Sequence, residues 1–363
     1  MNRRDILIGG GAVVAVGAAA TLASVNGMGS SSDYRADAMA LRAPVADPVR
    51  DIVRHATLAA NGHNTQPWKF RVGTQRIDIL PDWSRRTPVV DPDDHHLFVS
   101  LGCAAANLSL AAAAHGQPGE LAFDPAHGGS IAFTSRSGPA ARSPLFDAIA
   151  KRQSTRANYD GRSVGSADLR TLAAAGSRPG VDLVLLTDRP RIDRVRDLVM
   201  AGNSAQMADS AFVAELKSWL RFNPAAAIRS GDGLYSVASG NPALPGWLGR
   251  HAFGTLVTAK SENDHYASQI NSSAGIAVFS AEQENKQGWV AVGQACQQFA
   301  LQATALGLKH AFINQPVEVA RLRPDLAALA GIPGRRPDIV MRFGFGLTLP
   351  YSMRRPVEAV IVA

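Results

Sequence analysis

The chain has 363 residues, of which 46% are hydrophobic and 18% are charged. These values indicate a globular protein, long enough for one large domain or two ordinary ones. The net charge is +7, but the positive residues are dispersed in short pairs such as Arg335-Arg336. Nucleic-acid binding favours a dense basic stripe with interleaved aromatic residues, so we expect no nucleic-acid partner. A bound anionic ligand is a more economical use of a few arginines.

The N-terminus has the layout of a secretory signal. Arg3-Arg4 precede an apolar run rich in Gly and Ala, which resembles the twin-arginine class of signals. We predict a signal peptide over residues 1–35, with the mature start between residues 25 and 40. The expected partner is the twin-arginine export machinery, and the expected location is the periplasm or cell envelope. The alternatives are an uncleaved anchor or a disordered leader.

Two distant stretches match without gaps at an offset of 191. Residues 99–116 read VSLGCAAANLSLAAAAHG, and residues 290–307 read VAVGQACQQFALQATALG. Both patterns predict long helices whose small residues face a close neighbour. Strand-like stretches precede them, at 77–80 and 275–280. The pattern predicts an α+β fold of two similar halves, 36–140 and 141–363, folded against each other.

Each half carries a polar motif that the other lacks. The first half has GHNTQPWKF at residues 62–70, and the second has KRQSTRANYDGR at 151–162. The second motif is followed by a predicted helix (166–176) and a predicted strand (181–188). Without further context, the first motif is a turn into an edge strand with Trp68 as an inward anchor, and Arg152 and Arg156 are a solvated pair at a helix end.

Together these motifs resemble the flavin-dependent nitroreductase superfamily, which has an Arg-x-Ser element, an N-x-Q-P-W element and a C-terminal arginine before proline. DWSRRTPVVDPDD (82–94), AELKSWLR (214–221) and YSMRRPVEAV (351–360) further resemble the Acg-type nitroreductase-like proteins, which are internally duplicated single chains. The resemblance implies a nitroreductase-like fold, packed as a fused pseudo-dimer with a lid-like insertion. It also implies FMN as the cofactor and a monomeric state.

The resemblance assigns one composite FMN site. The first half would supply Asn61, Gly62, His63, Asn64 and Gln66. The second half would supply Arg152, Gln153, Ser154, Arg156, Asn314, Gln315 and Arg354. The arginines and Ser154 would bind the phosphate, and the amides would face the isoalloxazine ring. Asn314 and Gln315 fall where the family has a Glu-Gly pair near N5, and no catalytic residue is assigned.

The cysteines and the acidic–histidine cluster have ordinary explanations. Cys103 and Cys296 lie in alanine-rich helical patterns without metal spacing, so we predict buried free thiols. DPDDHH at 91–96 precedes a helix, where its aspartates suit capping. Adjacent ligands on a helix point to different sides, so we predict no metal site.

Residues 222–270 are rich in Gly, Pro and Ser and show no continuous pattern. Such a length of broken pattern indicates a functional lid or an arm that wraps the other half. As a lid, it would bring Trp247, His251 and Phe253 against the flavin or the substrate pocket.

Two functions compete on these grounds. The first is an FMN-dependent oxidoreductase that passes electrons to a quinone-like or nitroaromatic acceptor. The second is a non-catalytic FMN-binding or storage protein whose lid covers the flavin. The second gains weight because an exported protein meets little NAD(P)H outside the cytoplasm.

Overall fold

A computed structural model describes residues 27–239, 241–255 and 257–362, and these residues form an α+β fold with two main sheets. The predicted α+β class is therefore confirmed. In chain order the helices are α1 (Ser31–Ala40), α2 (Pro48–Thr57), α3 (His95–Ala114), α4 (Pro144–Ile149), α5 (Ser166–Gly176), α6 (Arg189–Ala208), α7 (Ser210–Trp219), α8 (Pro224–Ser230), α9 (Gly246–Thr255), α10 (Ala259–Asn271), α11 (Lys286–Ala305), α12 (Gln315–Glu318) and α13 (Arg323–Leu329). The strands are β1 (Trp68–Gly73), β2 (Arg76–Pro81), β3 (Gly119–Asp124), β4 (Ser130–Ser135), β5 (Val181–Leu186), β6 (Leu220–Arg221), β7 (Leu234–Tyr235), β8 (Gly275–Ala281), β9 (Lys309–Phe312), β10 (Ile339–Gly344) and β11 (Ile361–Val362).

The first sheet is built mainly by the first half of the chain, in the order β11-β1-β2-β4-β3. Its edge strand β11 comes from the C-terminus and runs parallel to β1, with Phe70 opposite Ile361. The remaining pairs in this sheet are antiparallel. The C-terminal tail thus crosses from the second half and completes the sheet of the first.

The second sheet has the order β5-β8-β10-β9 and is antiparallel throughout. Every residue of β8 and β10 is buried, because both faces of this sheet are covered. Side chains alternate along a strand. Ala277 and Phe279 therefore belong to the core around the long helices, whereas Ile276 and Val278 belong to a second core that includes α6 residues.

The long helices α3 and α11 pack against each other in the centre of the molecule. They cross at two glycines that are equivalent at the offset of 191. A Cβ atom on Gly102 would lie 2.1 Å from the carbonyl oxygen of Val290, and one on Gly293 would lie 2.0 Å from that of Val99. Val99 and Val290 are also equivalent at this offset, so the contact is reciprocal. Such a reciprocal contact is expected of two equivalent helices, and the internal duplication stays a prediction.

Helix α3 is long and apolar enough to cross a membrane by length and composition, but 78% of its most apolar window is buried inside the protein. It is the central core helix of the fold. The small residues Ala104, Ala105 and Ala111 allow its neighbours to approach closely, and each is fully buried.

Most of the predicted signal peptide, residues 1–26, lies outside the described residues, so export and cleavage stay predictions. Its last residues belong to α1, which packs on α8. Tyr34 is 1% exposed, and its hydroxyl donates to the Tyr351 carbonyl oxygen at 2.7 Å. Cleavage before Ser30, the N-cap of α1, would keep this helix intact.

Residues 222–270, which the sequence shows as a broken pattern, contain the helices α8, α9 and α10. Local caps start these helices despite the flanking Gly and Pro, and the lid or arm role stays a prediction. Asn223 caps α8 by accepting from the Ala226 N–H, and Thr258 and Ser261 form a capping box on α10.

We expect Gly293→Ala to destabilise the protein by about 3 kcal/mol, because the added methyl group collides with backbone that cannot move without separating the two long helices. Urea denaturation of the leader-free protein measures this change in the free energy of unfolding. Gly165→Ala is the matched control, since a Cβ atom there meets nothing within 4 Å. Equal, small effects of the two substitutions would contradict a tight crossing.

Candidate functional site

A cavity of about 480 Å³ lies between the two halves of the chain, within the size range of cofactor and ligand pockets. Phe212, Leu216, Phe253, Val257 and Ile339 contribute to its apolar wall. The polar wall includes His96, Gln206, Tyr266 and Glu318. Both halves and the segment 222–270 line this cavity, so it is a composite site.

Six of the predicted site residues line the cavity: Asn61, Gly62, His63, Arg156, Asn314 and Gln315. The other six do not line it, among them the two motif amides and two of the three arginines: Asn64, Gln66, Arg152, Gln153, Ser154 and Arg354. The structure thus places half of the predicted site residues at the cavity, and the other half contact other parts of the chain.

The loop of the first motif has an unusual backbone. His63, Asn64 and Gln66 have φ angles of 46°, 54° and 54°, in the left-handed region that non-glycine residues rarely adopt. Asn61 holds the turn, because its Oδ1 accepts from the Gln66 N–H at 2.8 Å. Burial, followed by the charge of Arg156, lowers the pKa of His63 to about 4, so this imidazole is neutral at pH 7.

The two motif amides hold the loop against other segments. The Asn64 amide donates to the carbonyl oxygens of Gly233 at 3.0 Å and Met353 at 3.2 Å. The Gln66 amide donates to the Gly231 carbonyl oxygen at 2.8 Å and accepts from the Arg355 N–H at 2.7 Å. These amides therefore fasten the loop to residues 231–233 and to the C-terminal tail.

Arg354 joins the C-terminal tail to the end of α2 through hydrogen bonds. Its guanidinium donates to the carbonyl oxygen of Thr57 at 2.8 Å, to that of Ala59 at 3.2 Å and to Asn64 Oδ1 at 2.7 Å. The residue is 6% exposed, and burial holds its pKa well below the usual range. Its donors are satisfied by protein acceptors in this arrangement.

The Arg-x-Ser element carries buried polar atoms without partners. Arg152 donates through Nη2 to the Leu58 carbonyl oxygen at 2.9 Å, but its Nε has no acceptor, and the buried Ser154 Oγ has no partner either. Burial lowers the pKa of Arg152 to about 10. Between these two residues, Gln153 exchanges hydrogen bonds with the backbone of Leu349 and anchors the tail.

His310 lies beside this element and was not predicted from the sequence. It forms a parallel bridge with Ser154, it is fully buried, and neither ring nitrogen has a partner. Burial, followed by the charge of Arg152, keeps its pKa well below the usual value. A single histidine in a short strand gives no sequence signal, so only the fold identifies it.

Among the residues that the structure describes, Arg156 is the only lysine or arginine that lines the cavity. It is half-buried, and no hydrogen bond or ion pair engages its side chain within the part of the chain that the structure describes. Glu318, on the facing short helix α12, is a second unpredicted group. Burial raises its pKa to about 7, and Gln206 Nε2 donates to its Oε2 at 2.5 Å.

The last predicted pair begins helix α12. Asn314 Oδ1 accepts from the Val340 N–H at 2.9 Å, which ties α12 to β10. Gln315 Oε1 is buried without a partner. Of the three aromatic and histidine residues predicted to close the pocket, Phe253 lines it, whereas Trp247 is 59% exposed and His251 lies on the surface.

Comparison with known proteins establishes the family. The family model "Nitroreductase family" matches residues 149–347, more than half of the chain, so this protein belongs to the nitroreductase family. In Mycobacterium tuberculosis H37Rv, "Putative NAD(P)H nitroreductase Rv3131" is 26% identical over 361 residues, covering 93% of this chain and 96% of that protein. "Putative NAD(P)H nitroreductase acg" from the same strain is 23% identical over 331 residues, covering 86% and 95%.

Solved structures with low similarity include a nitroreductase with bound FMN from Desulfitobacterium hafniense DCB-2. It is 14% identical with a TM-score of 0.39, covering 61% of this chain and 99% of that chain. The FMN-dependent nitroreductase NfnB from Mycobacterium smegmatis, in complex with NADPH, is 12% identical with a TM-score of 0.37, covering 56% and 87%.

The helix that leads into the site, α2, carries a buried polar cluster. His55 Nδ1 donates to the Asp51 carbonyl oxygen at 2.8 Å, which leaves Nε2 to accept from Arg54 at 2.9 Å. A proton on Nε2 would face the guanidinium. Burial, followed by the Arg54 charge, lowers the pKa of His55 from 6.5 to about 4.

His55 makes stability fall as the pH is lowered. Because its folded pKa is below the unfolded value, the unfolded chain takes up the proton first, and stability is lost from pH 6.5 down to about pH 4. We expect His55 to account for about 2 kcal/mol of lost unfolding free energy between about pH 7 and about pH 5. Urea denaturation at both pH values should show a smaller loss for His55→Gln than for the wild type. The exposed His265→Gln serves as control, and identical losses in all three proteins would rule out this contribution.

Proposed function

We propose that this protein is an FMN-dependent oxidoreductase that passes electrons through the flavin to a small-molecule acceptor of the quinone or nitroaromatic type. The observation that carries the proposal is the set of unpartnered polar groups around the composite cavity. Among the described residues Arg156 forms no ion pair, and the buried Arg152 Nε and Ser154 Oγ have no partners. A buried unpaired donor costs about 1–3 kcal/mol, so such groups are retained where a ligand satisfies them.

The residues present fit a flavin mononucleotide. Its phosphate needs cationic and hydroxyl donors, which Arg156, Arg152 and Ser154 offer. The ring needs an apolar wall with a few polar groups, which Phe253, Ile339 and the loop 61–63 provide. When bound, FMN would supply hydride and electron transfer, and the chain would bind, orient and shield it.

The names of the relatives and the predicted export signal give opposite indications about the electron donor. The two mycobacterial relatives are named as NAD(P)H nitroreductases, which supports a nicotinamide donor. The predicted twin-arginine signal is part of the proposal, since that route carries folded proteins with their cofactors inserted. Outside the cytoplasm NAD(P)H is scarce, and this favours the second candidate function, an FMN-storage protein. The wall formed by Phe253, Val257 and Tyr266 of the segment 222–270 also supports a covering role.

Substitutions of Ser154 and Arg156 test the binding site. In the ligand-free protein, Ser154→Ala removes an unpaired hydroxyl, so we expect little loss of thermal stability or a gain. With FMN, the same variant should bind about tenfold or more weakly, because a hydrogen bond to a charged group is lost. Arg156→Ala should weaken binding by a similar or larger factor. Flavin fluorescence titration and thermal shifts with and without FMN measure both effects.

Arg170→Ala is the matched control, because it removes an exposed arginine from α5 and changes the net charge equally. FMN affinity that is the same in Arg156→Ala and Arg170→Ala would remove Arg156 from the site. A wild-type protein that cannot be loaded with FMN would contradict both candidate functions.

An anaerobic spectrum separates the two functions. If the protein is an enzyme, NADPH should bleach the flavin absorbance of the loaded protein, and a quinone should then restore it. If the protein only stores FMN, dithionite should bleach the flavin and NADPH should not. Free FMN in the same buffer is the control, and bleaching by dithionite alone would contradict the proposed NADPH-dependent turnover.

A further inference from the structure

A cluster of carboxylates and imidazoles lies at the start of α3, beside the cavity. One ligand atom each from Asp91, His95 and His96 lies within 4.8 Å of the others. Two carboxylates of the second half adjoin them. His95 Nε2 lies 2.8 Å from Asp338 Oδ1, and His96 Nδ1 lies 4.0 Å from Glu318 Oε1. The cluster therefore joins residues that are more than 200 positions apart in the sequence.

The local backbone explains how adjacent residues converge here. Asp94 has a φ of 59°, which turns the chain just before the helix. The Asp91 carboxylate then accepts from the N–H groups of His96 at 2.9 Å and Leu97 at 3.0 Å, which fixes it against the first helical turn. The rings of His95 and His96 lie with their centroids 4.5 Å apart. The sequence argument that adjacent ligands diverge applies to a helix interior and not to this capped start.

Several of these atoms are buried and have no hydrogen-bond partner. They are both ring nitrogens of His95, Nε2 of His96 and Oδ1 of Asp338. His95 and Asp338 are each 1% exposed. The contact between His95 Nε2 and Asp338 Oδ1 does not have hydrogen-bond geometry. It therefore does not offset the free-energy cost of burying these two polar groups. Buried ligand atoms without partners are the second feature, besides proximity, that indicates a bound cation.

The charges around the cluster are also unequal. Asp93 and Asp338 face the guanidinium groups of Arg336 and Arg323, whereas Asp91 and Glu318 face each other. Arg336 is paired with Asp93 at 2.5 Å. Further out, Arg86 is paired with Asp94, Arg156 acts on Glu318, and Glu284 acts on Arg323. Apart from the Arg86–Asp94 pair, five carboxylates against three guanidinium groups leave two negative charges, which a divalent cation would neutralise.

We propose that Asp91, His95 and His96, with Asp338 and Glu318, bind a divalent transition-metal ion of the zinc type. Two imidazoles with carboxylates suit zinc and its neighbours, whereas magnesium and calcium prefer ligand sets of oxygen alone. Ligand atoms in a tetrahedral zinc site lie roughly 3.4 Å apart, so small side-chain rotations suffice. The ion would tie the start of α3 to β10 and α12, and so hold the two halves together at the wall of the cavity.

Metal binding to the untagged, leader-free, chelator-treated full chain tests the proposal. Isothermal titration with zinc chloride should give one equivalent per chain, and cobalt(II) should give visible absorbance bands of a site with imidazole ligands. Magnesium should not compete at a comparable concentration. Zinc affinity should fall by at least about tenfold in His96→Gln and in Glu318→Gln, since each loses one ligand. Zinc should raise the melting temperature of the wild type but not that of the two variants.

His115→Gln is the matched control, because His115 belongs to a second histidine–carboxylate group, with Asp51 and His55. In that group Asp51 is already paired with Arg54 at 2.8 Å. Zinc binding that persists in His115→Gln and is lost in His96→Gln supports the site. Loss in His115→Gln with full binding in His96→Gln, or no zinc uptake by the wild type, overturns it. If His96→Gln does not fold, Glu318→Gln decides by the same readouts from the opposite half.

Discussion

The close approach of α3 and α11 is the constraint on which the rest of the structure depends. Gly102 and Gly293 leave no room for a side chain. Gly102 lies against the carbonyl of Val290 and Gly293 lies against that of Val99, and these two valines occupy equivalent positions in the two helices. This reciprocity is the pattern of a twofold contact between like surfaces. Beside it, Cys103 and Cys296 bring their sulfur atoms within 3.6 Å, and Asn107 accepts from Gln297 at 2.8 Å. Two similar helices can therefore share one core without a gap.

The same helix pair positions the candidate site. Gln297 on α11 accepts from the Ala60 N–H at 3.2 Å, and Asn107 on α3 donates to the His55 carbonyl oxygen at 2.9 Å. These bonds fix the end of α2 and hence the loop that begins at Asn61. From the other side, Arg354 fastens the tail to the same helix end. The cavity wall is thus set by one contact within the first half, from Asn107, and by contacts of Gln297 and Arg354 that join the two halves.

The sequence predicted local elements well, whereas the use of the polar side chains depends on long-range packing. Residues 166–176 form the helix expected there, and the long helices begin four residues earlier than predicted, at His95 and Lys286. Their earlier starts follow from caps, Asp91 for the first and Asn285 for the second. By contrast, Asn64, Gln66 and Arg354 read as ligand-binding groups, yet they satisfy backbone carbonyls and one another. An amide or guanidinium serves either purpose, and only long-range packing decides which.

The anchoring of residues 231–233 limits how the segment 222–270 can open. Asp232 forms ion pairs with Arg85 and Arg221, and the neighbouring carbonyls of Gly231 and Gly233 hold the strained loop of Gln66 and Asn64. Releasing this part would cost several hydrogen bonds and free a loop whose left-handed residues are unfavourable on their own. The exposed Trp247 lies on α9, the helix that also carries the cavity residue Phe253. If the segment uncovers the cavity, residues 231–233 stay in place as the fixed base, and the movement falls to the rest of the segment.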